Sequence, residues 1–267
     1  MVHSSAAFFP LLFAVVGACL GSFSSVLIYK LRFDEPLSLW KRTKNQTTKK
    51  IANILHLTPI LSWIKTIDKK HSAKNIPVVY LSLEILFVVV FGLFAYKNFS
   101  LQPGLQPDWM TLIEFGILFF ALNLFFYDAL YFLVDRRISF PAIGIALIWA
   151  VTQTDPSAYL IGGFIGFGFY WIQWFISKGK WVGAGDQEIG LFMGLVLGWE
   201  FLLYGLFLAY IIGCLYALLL KIFGKKIGLG TALPMGAFLI PAMLIMMYDG
   251  AWLEQQYWNL FTLPLLF

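Results

Sequence analysis

The chain has 267 residues, of which 60% are hydrophobic and 12% charged, with a formal net charge of +5. An average soluble domain carries roughly 25% charged residues, so this composition excludes a soluble globular protein and points to one that lives in a bilayer. The apolar blocks are continuous rather than alternating, which favours a helical bundle over a β-barrel, and the basic excess reads as membrane topology rather than nucleic-acid binding.

The first block, 6–31, is long enough to span a membrane and lacks the basic start of a signal peptide, so it is expected to remain as a helix. Gly17 and Gly21 stand four residues apart in it, a spacing that suits close helix packing. The loop 32–76 follows, with the basic run KRTKNQTTKK and then LHLTPILSWIKTI, which is apolar enough to lie on the membrane surface. It holds no cysteine. Cys19 and Cys214 lie in apolar blocks and His3, His56 and His71 are scattered, so neither a disulfide framework nor a metal site is expected.

Further blocks run over 76–96, 110–131, 138–152, 158–177, 189–197, 201–222 and 232–247, for an expected eight membrane segments in one domain spanning 1–267. Gly162 and Gly166 form a second small-residue pair. The sixth block is too short to cross about 30 Å at 1.5 Å per residue. If it nevertheless counts as a crossing, every Lys and Arg except Lys97 falls on one side of the bilayer. The positive-inside rule then places 32–76, 132–138, 178–187 and 221–230 in the cytoplasm and both termini outside.

Ionisable residues within membrane segments are costly and mark function. Most acids of this chain sit in loops or at block ends, among them Asp108, Asp155 and Glu200, and read as solvated surface charge. Asp128 and Asp186 are different, each at the cytoplasmic end of an apolar block, in FFYDALYFLVDRR and GKWVGAGDQEIG. Two carboxylates at matching depth suit an aspartic protease, in which the pair shares one proton and holds a water between its members. Gly183 and Gly185 would give the backbone freedom beside Asp186. The plainer alternative is a pair of interfacial carboxylates bound to Arg136, Arg137 or Lys180. A transporter or channel using Asp128 and Asp186 as proton or cation sites is another, although the outer halves of the blocks lack a polar path.

Six stretches in order resemble the type IV prepilin peptidases, the GxGD group of membrane aspartic proteases. They are GSFSSVLIYKLR at 21–32, LTPILSWI at 57–64, Tyr80 with Glu84, YDALYFLVDRRISFPA at 127–142, GAGDQEIGLFMGLVLGW at 183–199 and ALPMGAFLIPA at 232–242. The resemblance implies that Asp128 and Asp186 are the catalytic pair and that Gly183 and Gly185 are the motif glycines. It also implies cleavage of the leader of type IV prepilin or pseudopilin precursors after a glycine, at the cytoplasmic face of the inner membrane. A further implication is methylation of the new N-terminus from S-adenosylmethionine, with Gly21 and Glu84 at positions matching that half of the family. The chain departs from the family in four places. Ser25 stands where Asn is usual, Asp135 and Arg136 occupy the usual Pro-Asp positions, and Glu188 replaces a basic residue. The paired cysteines that many relatives carry in the first loop are absent, which leaves methylation open and an inactive assembly scaffold as a rival. Glu188 lies about 200° around a helix from Asp186, so it need not point at the catalytic water, yet it is near enough to disfavour the ionised form of Asp186 by like-charge repulsion. The alternative is that it pairs with Lys178 or Lys180 in water and does little.

Overall fold

The computed structural model describes residues 2–32, 76–101, 107–224 and 233–262. All the regular elements there are helical: α1 (Val2–Arg32), α2 (Ile76–Ala95) running on into a π-helical turn (Tyr96–Ser100), α3 (Trp109–Tyr131), α4 (Arg136–Thr152), α5 (Pro156–Ser177), α6 (Ala184–Ile222) and α7 (Gly236–Thr262). Six of these are long and apolar enough to cross a membrane, and α4, with 17 residues, is slightly shorter. The protein is thus an all-α, multi-pass membrane bundle. The readings of 33–75, including both the basic run and the surface-apolar run, lie outside the described residues.

The chain divides into two compact units, Met1–Pro107 and Asp108–Phe267. In the first unit α1 packs on α2 through its glycines. A Cβ at Gly17 would stand 2.7 Å from the Phe87 carbonyl oxygen, and one at Gly21 would stand 2.9 Å from the Glu84 Cα. The rings of Phe13 and Phe99 stack at 5.7 Å beyond them. The expectation of a packing role for Gly17 and Gly21 is met here.

In the second unit the sixth and seventh apolar blocks lie within one continuous element, α6, so the described residues hold seven helices, α6 being made of two arms that meet at Gly198. A straight helix of 39 residues would be about 58 Å long, far more than a bilayer needs. This one is not straight: Gly198 has φ 76 and ψ 168, a conformation that only glycine adopts without strain. The packing shows that α6 doubles back there. Ile189 Cδ1 would lie 2.6 Å from a Cβ on Gly236, and Phe238 would lie 3.2 Å from one on Gly213. Residues 189 and 213 both meet the start of α7, yet in a straight helix they would be about 36 Å apart.

The first arm of α6 lies against α5 at a four-glycine contact. A Cβ on Gly162 would come within 2.6 Å of the Gly194 carbonyl oxygen, and Gly166 meets Gly190 in the same way. Small residues four apart on both helices let the backbones touch, which is how membrane helices gain packing without a hydrophobic drive. Along its other side α4 presents Ala142, Ala146 and Ala150, all fully buried, and Trp149 donates its indole N–H to the Val196 carbonyl at 3.1 Å.

Helix starts in this unit follow local chemistry. Asp108, Asp135 and Asp155 are N-caps, accepting from the backbone N–H of Thr111, Arg137 and Ser157 at 2.8, 2.8 and 3.1 Å. Asp108 and Asp155, which read from sequence as surface charge, are therefore structural as well. The Ser157 bond leads those that hold the Asp155 carboxyl below its ordinary value. Partial burial pushes Asp135 up, but hydrogen bonds and charge from Arg137 outweigh it and leave it lowered.

Candidate active site

Asp128 lies one turn before the end of α3, and Asp186 lies in the first turn of α6. Both are buried, at 4% and 7% exposure, yet both face one cavity of about 600 Å³. The cavity is walled by the α3–α4 loop (Phe132, Leu133, Val134), the α5–α6 loop (179–183) and Leu233–Pro234–Met235 ahead of α7. Two carboxylates withdrawn from bulk solvent thus border one space large enough for water.

Each carboxylate is held by a backbone amide. Asp186 reaches back within its own first turn and accepts from the Gly183 N–H at 2.8 Å. Asp128 accepts from the Ala237 N–H at 3.0 Å, the first turn of α7, where the positive end of the helix favours a negative group. A Cβ on Gly236 would stand 2.9 Å from Asp128 Oδ2, so only glycine lets α7 come that close.

The two motif glycines have separate uses. A Cβ on Gly185 would meet Val134 Cβ at 2.5 Å, so Gly185 lets the first turn of α6 lie directly on the α3–α4 loop. A Cβ on Gly183 would find only Asp186 Oδ2, at 3.5 Å, an ordinary contact. The freedom expected of both glycines is needed for close approach at Gly185 and not for lack of room at Gly183.

The nearby arginines are engaged elsewhere. Arg137 makes a forked pair with Asp135, with Nη2–Oδ2 at 2.7 Å, and Arg136 Nε meets Glu188 Oε1 at 3.3 Å. The alternative in which arginine pairs hold Asp128 and Asp186 is therefore not what the structure shows. Lys180 lines the cavity without replacing the amide bonds. Glu188 also departs from expectation. It does turn away from the cavity, but its partners are Arg136 and the buried Ser139 hydroxyl rather than Lys178 or Lys180 in water.

Gly21 and Glu84 are neighbours in the first unit, where Glu84 is buried at 8% exposure along with Ser22, Ser24 and Ser25. What sequence reasoning missed is the start of α7. Met235–Gly236–Ala237 supplies the donor for Asp128, and the signal available was the Pro-x-Gly that opens an apolar block. The absence of a metal site was argued largely from 32–76, nearly all of which lies outside the described residues.

Two family models match the chain: the Type IV leader peptidase family over residues 115–218, and the bacterial peptidase A24 N-terminal domain over 15–98. The first range holds Asp128 and Asp186, and the second holds Gly21 and Glu84. The chain is also similar to the prepilin leader peptidase/N-methyltransferase of Vibrio cholerae serotype O1. The two are 26% identical over a stretch covering 77% of this chain and 84% of that protein. No solved structure matches it.

Proposed function

Because the chain belongs to the type IV leader peptidase family, we propose that Asp128 and Asp186 are its catalytic pair and that it acts as an aspartic endopeptidase of the inner membrane. The observation that carries this reading is the convergence of two buried carboxylates, from the end of α3 and the start of α6, on one cavity. In the proposed reaction the ionised member takes a proton from water as the water oxygen bonds to the scissile carbonyl carbon. The protonated member donates a hydrogen bond to the carbonyl oxygen as charge builds there. A proton then passes to the amide nitrogen, the C–N bond breaks, and a carboxylic acid and an amine leave. The amide bonds from Gly183 and Ala237 fix the carboxylates before substrate arrives, which avoids reorganisation during the step.

The substrates proposed are precursors of type IV pilin-like proteins, cut at the leader on the cytoplasmic face. The loops that wall the cavity lie beside Arg136, Arg137, Lys178 and Lys180, and such basic loops are what the positive-inside rule assigns to the cytoplasm. The whole chain is proposed to serve as one peptidase domain. S-adenosylmethionine would be the donor for the methylation that the relative's name records. At Gly21 and Glu84 α1 and α2 close on each other, so the pair also holds helix to helix. Proteolysis is the reaction that the site around Asp128 and Asp186 supports.

The test is a purified protein in lipid nanodiscs with a pilin-type precursor, the product weighed by mass spectrometry. Asp128→Asn and Asp186→Asn are each expected to lower the rate at least about a thousandfold while still inserting, since an amide can neither carry nor return the proton that the two carboxyl groups share. Near-normal cleavage by either variant would remove that residue from the pair.

A further inference from the structure

The start of α6 carries Asp186 in its first turn and Glu188 just beyond it, on another side of the helix. Glu188 meets the first turn of α4: its Oε1 lies 3.3 Å from Arg136 Nε, and its Oε2 accepts from the Ser139 hydroxyl. Ser139 is 1% exposed and the Glu188 side chain 17%, so the Ser139 bond is sheltered, whereas Arg136, at 74%, is largely in solvent. The negative carboxylate also faces the positive end of α4. We propose that Glu188 is a positioning residue: its bonds to Ser139 and Arg136 tie the start of α6 to the start of α4 and thereby set where Asp186 stands relative to Asp128.

Three observations make the tie matter at the site. Asp186 is only two residues from Glu188, so any drift of that turn moves its carboxylate. Gly183, Ala184 and Gly185 precede Asp186 and the N-cap residue makes no side-chain bond, so the start of α6 is held by the Asp186–Gly183 bond and the Gly185–Val134 contact, and Glu188 adds a polar side-chain link from there to α4. Farther along the same helix pair a separate bond joins Trp149 to Val196. Loss of Glu188 therefore frees one turn without undoing the bundle. Glu188 is not part of the cavity wall, so its loss is expected to act through the place of Asp186 rather than through contact with substrate.

The inference rests on the reading of Asp186 as catalytic, and the experiment separates the two. Cleavage kinetics and melting temperature are measured in nanodiscs for Glu188→Ala, Glu188→Gln, Ser139→Ala, Glu188→Arg, and Glu188→Arg combined with Arg136→Glu, with Asp186→Asn alongside. Misplacing a catalytic group by a fraction of an ångström costs on the order of tenfold, so Glu188→Ala should lower kcat about tenfold at constant KM. Glu188→Gln keeps an acceptor for Ser139 and should stay within about threefold of wild type, since the exposed ion pair it loses is weak. Glu188→Arg should be the poorest of the set, and adding Arg136→Glu should recover most of the loss. Should Glu188→Ala fail to insert, Ser139→Ala carries the same expectation of a kcat loss at constant KM. A Glu188→Ala kcat within about twofold of wild type, a loss that appears in KM or melting temperature instead, or no recovery in the swapped pair would overturn the proposal. Cleavage by Asp186→Asn would instead overturn the catalytic reading itself.

Discussion

The two aspartates are held by the same kind of bond reached by different routes. Asp186 takes its amide from Gly183, three residues away in its own helix start, whereas Asp128 takes its amide from Ala237, 109 residues away. The first is a local device that forms whenever α6 begins where it does. The second exists only once α3 and α7 are packed, and it depends on Gly236 leaving space for the approach. One half of the pair is thus set by helix capping and the other by tertiary fit, and the two halves should fail differently.

Gly236→Val attacks the long-range half and should have the largest effect. Its Cβ would fall 2.6 Å from Ile189 Cδ1 and 2.9 Å from Asp128 Oδ2, and the branched side chain adds more. The start of α7 must then retreat and take the Ala237 amide with it. Overpacking of this kind costs about 1–3 kcal/mol, and displacing a catalytic carboxylate costs further rate, so a loss of about a hundredfold in kcat/KM is expected. Retention of more than half the activity would show that α7 does not set Asp128.

Gly185→Ala against Gly183→Ala sharpens the local half. The methyl at 185 would collide with Val134 Cβ at 2.5 Å, whereas the methyl at 183 meets nothing closer than 3.5 Å. Gly185→Ala should lower kcat/KM about tenfold and Gly183→Ala less than about threefold. Adding Val134→Gly to Gly185→Ala removes the colliding Cβ and should restore part of the loss, whereas Val134→Ala, which keeps that atom, should not. Equal losses at 183 and 185 would mean that backbone freedom, rather than the Val134 contact, explains the glycines.

The same division accounts for what could be read in the sequence. The helices, the place of Asp128 and Asp186 at helix ends and the packing role of Gly17 with Gly21 follow from residues close together in the chain, through apolar length and four-residue spacing. The reversal at Gly198 was legible as two blocks, 189–197 and 201–222, counted as successive crossings, but not as a positive-φ glycine within one continuous element. Gly198 follows an apolar run and precedes another, and nothing local distinguishes a bend at a positive φ from a short loop between two helices. Partners that come from afar were the other gap. Ala237 for Asp128, Arg136 with Ser139 for Glu188, and Gly190 with Gly194 facing Gly166 and Gly162 all need the packed unit before they meet. Lys178 and Lys180 were the nearer cations to Glu188 in sequence, and nearness in sequence proved to be the wrong guide across a helix turn.

A carboxylate with a local amide bond but without the cavity supplies the smallest and most specific comparison. Asp155 caps α5 as Asp186 caps α6, accepting from the Ser157 N–H at 3.1 Å, but it is exposed at the surface. Its hydrogen bonds to Ser157 hold its carboxyl below the ordinary 3.8. A group depressed on folding contributes stability that is fully present above its unfolded value and is lost as pH falls through its folded value. The capping contribution of Asp155 should therefore be intact at pH 7 and gone well below 3.8. Asp155→Asn keeps a side-chain oxygen for the cap and removes the titration. Melting in nanodiscs at pH 7 and pH 3 should show the wild type losing about 1 °C more on acidification than Asp155→Asn, a shift near the lower limit for a chain of this size. A larger difference would mean that Asp155 carries more than a cap. An equal loss would mean that the charge adds nothing to the local amide bond, and the same bond at Asp186 would then serve to aim the carboxylate and not to stabilise the helix.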